Sequence, residues 1–142
     1  MDKLRILFAS QQLAVLATQS EGQPYCNLVA FAGTDDLKYL VFVTNRDTRK
    51  YANIERDGNV ALLIDNRTNR PSDLKTGIAV TALGLAGEAL GDERARLAAV
   101  YSAKHPNLTD FLNSPGQALI KVTTTCYVVA SFDSTQTILI GD

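Results

Sequence analysis

Along most of this chain, apolar and polar residues alternate in short runs, and turn-forming residues separate one run from the next. Alternation with a period of two predicts β-strands that bury one face. The runs predict six or seven strands, at residues 14–18, 25–31, 39–44, 59–65, 78–90, 118–132 and 137–140. Gly84 and Gly87 invite bends in the fifth run, and the three threonines at 123–125 mark a place where the sixth could break.

A helical spacing of apolar residues occurs in few places. It predicts an amphipathic helix at the N-terminus, helices over 48–56 and 93–104, and a helical turn within 107–113. Asp92 is the expected N-cap of the third helix, and Asp47 or Thr48 that of the second. Short strands with hairpin-sized connections favour a mainly β fold, a small antiparallel barrel with a few helices, over a doubly wound sheet. The length predicts one domain, 1–142.

The composition is ordinary for a soluble protein, with 46% hydrophobic and 20% charged residues and a net charge of −1. Near-neutrality, without a basic stripe, predicts no binding to nucleic acid. The N-terminus has neither a long apolar core nor a cleavage site, so we expect no membrane span and a cytoplasmic protein. Cys26 and Cys126 lie in strand-like runs without metal-site spacing, which predicts buried, reduced thiols and no metal centre. The alternative interpretation is a disulfide bond between Cys26 and Cys126.

Side chains for catalysis without a cofactor are scarce in this sequence. His105, the only histidine, precedes Pro106 in a predicted loop and has no nucleophile motif beside it. We interpret it as a surface or packing residue. No phosphate-binding glycine loop follows a strand. We therefore nominate no catalytic residue, and if the protein is an enzyme, a cofactor must carry the chemistry.

The stretch VTNRDTRKYANIERDGN, residues 43–59, places two cations at a helix start. Arg49 and Lys50 stand in the first turn, where a cation opposes the helix dipole by roughly 0.3–1 kcal/mol. An anion there would reverse the effect, because free N–H groups, both cations and the hydroxyls of Thr44 and Thr48 could bind it. The alternative, that both cations are solvated or paired with the acidic residues at 47, 55 or 57, stays open from the sequence.

Six segments, taken in order, resemble the pyridoxamine 5′-phosphate oxidase-like family of FMN-binding split β-barrels. They are ATQSEGQPYCNLVAF at 17–31, FVTNRDTRK at 42–50, NI at 53–54 with NVAL at 59–62, LAGEAL at 85–90, VYSAKHP at 100–106 and CYVVASF at 126–132. The likeness runs across most of the chain, and the order and spacing of the segments carry it. The resemblance implies an FMN-binding split barrel of six to seven antiparallel strands.

The resemblance also implies where FMN would bind. The cations and hydroxyls at the helix start would hold the phosphate, and strand 27–31 would run along the isoalloxazine ring, with backbone groups near Val29 and Ala30 meeting its polar edge. The implied cofactor contacts are Asn27, Val29, Ala30, Phe31, Val43, Thr44, Thr48, Arg49 and Lys50. The family is usually a homodimer with two flavins at the interface. We therefore expect a second copy of the chain to complete each site, with the polar loop 66–76 as a possible participant.

The sequence departs from the vitamin-processing oxidases at three places. Asn27 stands where they carry an arginine, Ala32 stands where a lysine is usual, and the C-terminal basic motif is missing. We therefore expect a flavin oxidoreductase that passes hydride or electrons through FMN to an unknown small molecule, and not a true pyridoxamine phosphate oxidase. The alternative is a non-catalytic module that holds flavin or haem for sensing, storage or delivery. Some relatives bind haem, and His105 with Pro106 lies in a segment like theirs.

Overall fold

A computed structural model describes residues 1–141 and confirms the mainly β architecture. The helices within this range are α1 Asp2–Ser10, α2 Arg49–Arg56, α3 Asp73–Thr76, α4 Gly91–Lys104 and α5 Thr109–Leu112, with a 3₁₀ turn at Pro106–Leu108. The strands are β1 Leu13–Ser20, β2 Gln23–Gly33, β3 Tyr39–Asn45, β4 Asn59–Asp65, β5 Ala79–Glu88, β6 Gln117–Ala130 and β7 Thr135–Leu139. None of the helices in residues 1–141 is long and apolar enough to cross a membrane.

Six of the strands form a closed antiparallel barrel. Their order is β3-β2-β1-β4-β5-β6, and the barrel closes because β6 also pairs with β3, while β7 adds an outer strand beside β6. Between β5 and β6 the register shifts after Leu83, which faces Cys126, whereas Gly84 faces Thr124. The extra residue is Thr125, so the predicted break in the sixth run is a bulge within a continuous strand. Gly84 has to be glycine here, because a Cβ would lie 2.4 Å from the carbonyl oxygen of Thr123.

The barrel is open along part of β2. This strand pairs with β1 over Gln23–Ala30 but with β3 only over Phe31–Gly33. Over 23–30, the backbone groups that point away from β1 therefore have no partner strand among residues 1–141. An unpaired strand edge of this kind can accept a ligand or another chain. α2 packs against β1, β3 and β5.

Apolar side chains form two packed clusters, one on each face of β3. The cluster inside the barrel includes Leu16, Val29, Phe31, Phe42, Ile120 and Tyr127. The second cluster lies outside the barrel and includes Val41, Val43, Leu97, Tyr101, Leu112 and Leu119. Successive side chains of a strand point to opposite faces, and both faces of β3 are covered. Its sequence is therefore a nearly continuous apolar run.

Two local predictions are wrong. Asp92 lies inside the first turn of α4, and the N-cap is Leu90, which makes no side-chain capping bond. Cys26 is exposed and Cys126 half-buried, although both are free thiols. Cys26 is exposed because the even-numbered residues of this part of β2 point outward, whereas Val29 and Phe31 point inward. Within residues 1–141, no three His, Cys, Asp or Glu side chains come together as a metal ion would require.

Candidate functional site

The start of α2 is built by two threonine hydroxyls. Thr48, one of the two residues predicted for the position, is the N-cap, and its Oγ1 accepts a hydrogen bond of 3.3 Å from the N–H of Tyr51. The same hydroxyl donates to the carbonyl oxygen of Asn45 at 2.7 Å and lies 2.9 Å from Thr44 Oγ1. Thr44 is 1% exposed at the end of β3. The two hydroxyls therefore join the end of β3 to the beginning of the helix.

Arg49 and Lys50 have no acidic partner within residues 1–141. The ion pairs of this part of the chain use other cations. Asp57, one of the possible partners, accepts from the side chains of Gln19 and Asn59 instead. Burial of the Lys50 side chain lowers its pKa, because desolvation disfavours the charged amine. An anion bound beside these cations would offset that desolvation.

A cleft of about 330 Å³ lies between α2 and the β1–β2 hairpin. Arg49 is exposed there, with its Cζ 4.9 Å from the centre of the Tyr25 ring. Asn53 fixes the helix to the hairpin, since its Nδ2 donates to Thr18 Oγ1 at 3.0 Å and both residues are buried. The lining residues are Ser20, Gln23, Tyr25, Arg49, Ala52, Asn53 and Arg56. The cleft thus holds two guanidinium groups and no carboxylate.

Arg56 and Tyr25 line this cleft, although neither was among the residues predicted to bind a cofactor. Arg56 follows Arg49 by seven residues, which is two helical turns, so both project from the same face of α2. Tyr25 shares the inner face of β2 with Asn27 because the two are two positions apart. Both relations could have been found from the sequence once the helix and the strand were placed.

Glu88 braces the segment that leads into α2. Its carboxylate binds Arg46 Nη2 at 2.5 Å and accepts from the hydroxyl of Tyr51 at 2.9 Å. The hydrogen bond from Arg46 lowers the pKa of Glu88, and the bond to Glu88 raises the pKa of Tyr51 to about 12. One acid on β5 therefore holds a residue before the N-cap and a residue in the first turn.

The predicted contacts on β2 do not share one face. Asn27, Val29 and Phe31 point inward, whereas Ala30 points outward. Asn27 Oδ1 is buried and has no hydrogen-bond partner among residues 1–141, so it can accept from a ligand. Phe31 is fully buried, and both of its backbone groups have partners, the carbonyl at 2.7 Å from His105 Nε2 and the N–H at 3.4 Å from Gln12 O. Among these residues, Phe31 is the least suited to bind a ligand.

Val43 is adjacent to Thr44 in sequence, but its side chain belongs to the cluster outside the barrel. Only its backbone can share a surface with the Thr44 hydroxyl. The structure therefore brings together Thr44, Thr48, Arg49 and Lys50 at the start of α2 and leaves the Val43 side chain on the other face of β3. The predicted contacts of all nine residues with a cofactor stay predictions.

His105 is a packing residue, which was one of its two interpretations. It is 4% exposed, and its ring centre lies 5.1 Å from that of Tyr101. Its Nε2 is the atom that contacts the Phe31 carbonyl, which fixes the end of α4 to β2. The histidine is therefore occupied inside the chain.

Most of this chain matches a known protein family. The family model described as pyridoxamine 5′-phosphate oxidase matches residues 1–125. The chain belongs to the pyridoxamine 5′-phosphate oxidase family. The match includes α1 to β5 and the part of β6 that closes the barrel on β3. Comparison with curated protein sequences gives no match.

Solved structures of similar fold carry different names. A haem-binding protein from Mycobacterium smegmatis superposes with a TM-score of 0.83 at 18% identity, covering 95% of this chain and 55% of its own. General Stress Protein 26 from Bacillus anthracis superposes with a TM-score of 0.71 at 21% identity, covering 97% of this chain and 96% of its own. An FAD-binding protein from Mesorhizobium loti superposes with a TM-score of 0.68 at 14% identity, covering 89% of this chain and 91% of its own. This chain thus spans about half the length of the haem-binding protein, and at these identities the likeness concerns the fold alone.

Proposed function

We propose that this protein binds FMN at the start of α2 and acts as a flavin oxidoreductase on a small molecule. The observation that carries the proposal is the pair Arg49 and Lys50, which lies beside the N-cap hydroxyl without an acidic partner in residues 1–141. A phosphate dianion would supply the missing negative charge. Membership in the pyridoxamine 5′-phosphate oxidase family supports a flavin as its carrier.

The residues present fit such a group at two further points. Asn27 Oδ1 offers an acceptor for a hydroxyl or N–H of the ligand. The unpaired edge of β2 over 23–30 offers backbone donors and acceptors to a planar polar edge. The core of the barrel is filled by side chains, so the ring would lie along the open edge of β2, the part of the strand that carries Asn27. When bound, FMN supplies hydride or electron transfer, and the chain supplies the phosphate contacts and the orientation.

A second copy of the chain is the partner we propose for this site. Outward-facing residues of neighbouring strands form a row in which Leu28 faces Val15 and Val15 faces Leu63. Leu28 is 62% exposed, and Leu13 nearby is 51% exposed. An apolar surface next to an open strand edge favours association with another protein surface. Light scattering should give a dimer mass, and Leu28→Glu should shift it to the monomer; a wild-type monomer would contradict the proposal.

The first experiment is a titration of purified protein with FMN and with riboflavin, which lacks the phosphate. The wild type should bind FMN about 100-fold more tightly, and Arg49→Ala/Lys50→Ala should remove that preference. Lys3→Ala/Arg96→Ala removes two exposed cations elsewhere and should leave it unchanged. Equal or absent binding of the two flavins would end the proposal. NAD(P)H should then bleach bound FMN rapidly, whereas a stable flavin without turnover would indicate a binding module.

Haem is the second candidate ligand, favoured by the haem-binding protein of similar fold. The flavin proposal is better supported, because the single histidine is buried and bonded to Phe31. A haem held here would need another axial ligand or a displaced His105. A parallel titration with haemin distinguishes the two. Tight haemin binding without FMN binding would favour the haem module.

A further inference from the structure

The cleft between α2 and the β1–β2 hairpin extends away from the proposed phosphate site. Arg49 stands at the beginning of α2 and Arg56 at its end, about 10 Å apart along the helix axis. Both line the same cleft. Thr48 and Lys50 do not line this cleft, so a first anion bound beside them would leave the half of the cleft at Arg56 free.

Arg56 brings a second positive charge to this far half. Its Nη1 lies 3.4 Å from Ser20 Oγ, a weak contact with a neutral group, and none of the ion pairs in residues 1–141 includes Arg56. The nearest part of the hairpin adds neutral polar side chains, Ser20 and Gln23. Hydroxyl, amide and guanidinium groups can all donate to an anion, and an arginine can do so with two N–H groups at once.

We propose that Arg49 and Arg56 form a second anion subsite for a ligand that continues beyond its first phosphate. This deepens the proposed function and rests on it. The ligand class is a flavin coenzyme with a second phosphate, as in a flavin dinucleotide. Tyr25, which already lies under the Arg49 guanidinium at 4.9 Å, keeps that side chain directed into the cleft. Arg49 would contact both anionic groups, and Arg56 only the second.

The test compares FMN with FAD on the full chain. FAD should bind at least as tightly as FMN to the wild type. Arg56→Gln should weaken FAD binding about tenfold and FMN binding less than twofold. Arg96→Gln removes an exposed arginine from α4 and should change neither. Arg56→Lys keeps a cation at the end of α2 and should recover part of the FAD affinity. A thermal melt of each variant without ligand separates a binding effect from a loss of stability at the helix end.

Failure of this inference differs from failure of the proposed function. If the wild type binds FMN but not FAD, or if Arg56→Gln changes both affinities equally or neither, the second subsite is wrong and the FMN proposal stands. If the wild type binds neither flavin, both are wrong. A selective loss of FAD affinity in Arg56→Gln, with partial recovery in Arg56→Lys, supports the subsite.

Discussion

Two helices of this protein carry basic residues against the barrel, and they use them in opposite ways. On α4, Lys104 Nζ donates to the carbonyl oxygens of Phe8 at 2.7 Å and Gln11 at 2.6 Å, and the next residue, His105, is bonded to Phe31. On α2, Arg49 and Lys50 have no such acceptor within residues 1–141. The polar hydrogens of Lys104 and His105 at the end of α4 serve the fold, whereas those of Arg49 and Lys50 on α2 are available to a ligand. To identify a binding site, it is therefore more informative to know whether the N–H donors of a basic residue already have acceptors in the protein than to know that the residue is there.

We expect the largest effect at His105, the residue that directly follows α4. His105→Ala removes a buried hydrogen bond and leaves a cavity beside Tyr101, so we expect the free energy of unfolding to fall by roughly 2–4 kcal/mol. Urea denaturation measures this loss. The preference for FMN over riboflavin should not change, because the recorded contacts of the imidazole ring are with Phe31 and Tyr101. A neutral effect on stability, or a changed flavin preference, would contradict the division between the two helices.

Thr48 lies at the start of α2, where we expect one hydroxyl to affect both stability and ligand binding. Thr48→Ala removes the N-cap of α2 and should cost about 1 kcal/mol of stability. Because the same hydroxyl lies at the proposed phosphate site, FMN affinity should also fall several-fold while riboflavin affinity stays constant. Thr48→Ser keeps the hydroxyl and should restore both properties. Loss of stability without any change in FMN affinity would show that the cap has a structural role only.

Lys104 gives a pH dependence on the α4 side. Burial lowers its pKa to about 8 from the ordinary 10.5. Between these values the unfolded chain binds more protons than the folded one, so the lysine's contribution to stability rises with pH. The neutral amine still has two N–H groups for its two carbonyl acceptors. The stability of the wild type relative to Lys104→Met should increase by on the order of 1 kcal/mol between pH 7.5 and 9.5. A constant or shrinking difference would contradict this sign.

Salt should produce the smallest effect and should act on α2 alone. Arg49 is exposed and Lys50 half-buried, so raising NaCl from about 50 to 300 mM should weaken FMN binding roughly two- to fivefold through screening. Riboflavin binding and the stability difference between the wild type and His105→Ala should change little. Parallel titrations at several salt concentrations check this. An FMN affinity independent of salt would argue against a phosphate held by these cations.

The fold could be predicted in large part from the sequence, because alternation and turn residues encode it locally. For that reason the N-cap of α2 was predicted to within two residues, Asp47 or Thr48, and the irregularity near Thr125 was predicted at the right place. The exposure of Cys26 was not predicted, because the sequence of a strand does not show which of its two faces other elements cover. Asp92 was a plausible cap by residue type, yet Gly91 with φ 61° already begins the helix.

The candidate site was only partly predictable. The charge pattern at Arg49 and Lys50 is local, and it was found without a structure. The contribution of Tyr25 depends on how the hairpin meets α2, and the brace of Arg46 by Glu88 joins residues 42 positions apart. Alternation along β3 already separates Val43 from Thr44, but the covering of the Val43 face depends on where α4 packs.

The closure of the barrel by β6 has a consequence for folding kinetics. Tyr39 pairs with Thr123, so the contact that closes the ring joins residues 84 positions apart. Such non-local pairings give a high contact order, which slows folding. During synthesis the first five strands emerge with β3 unpaired on one edge until β6 has left the ribosome. The last barrel strand therefore sets the time at which the nascent chain stops exposing the edge of β3.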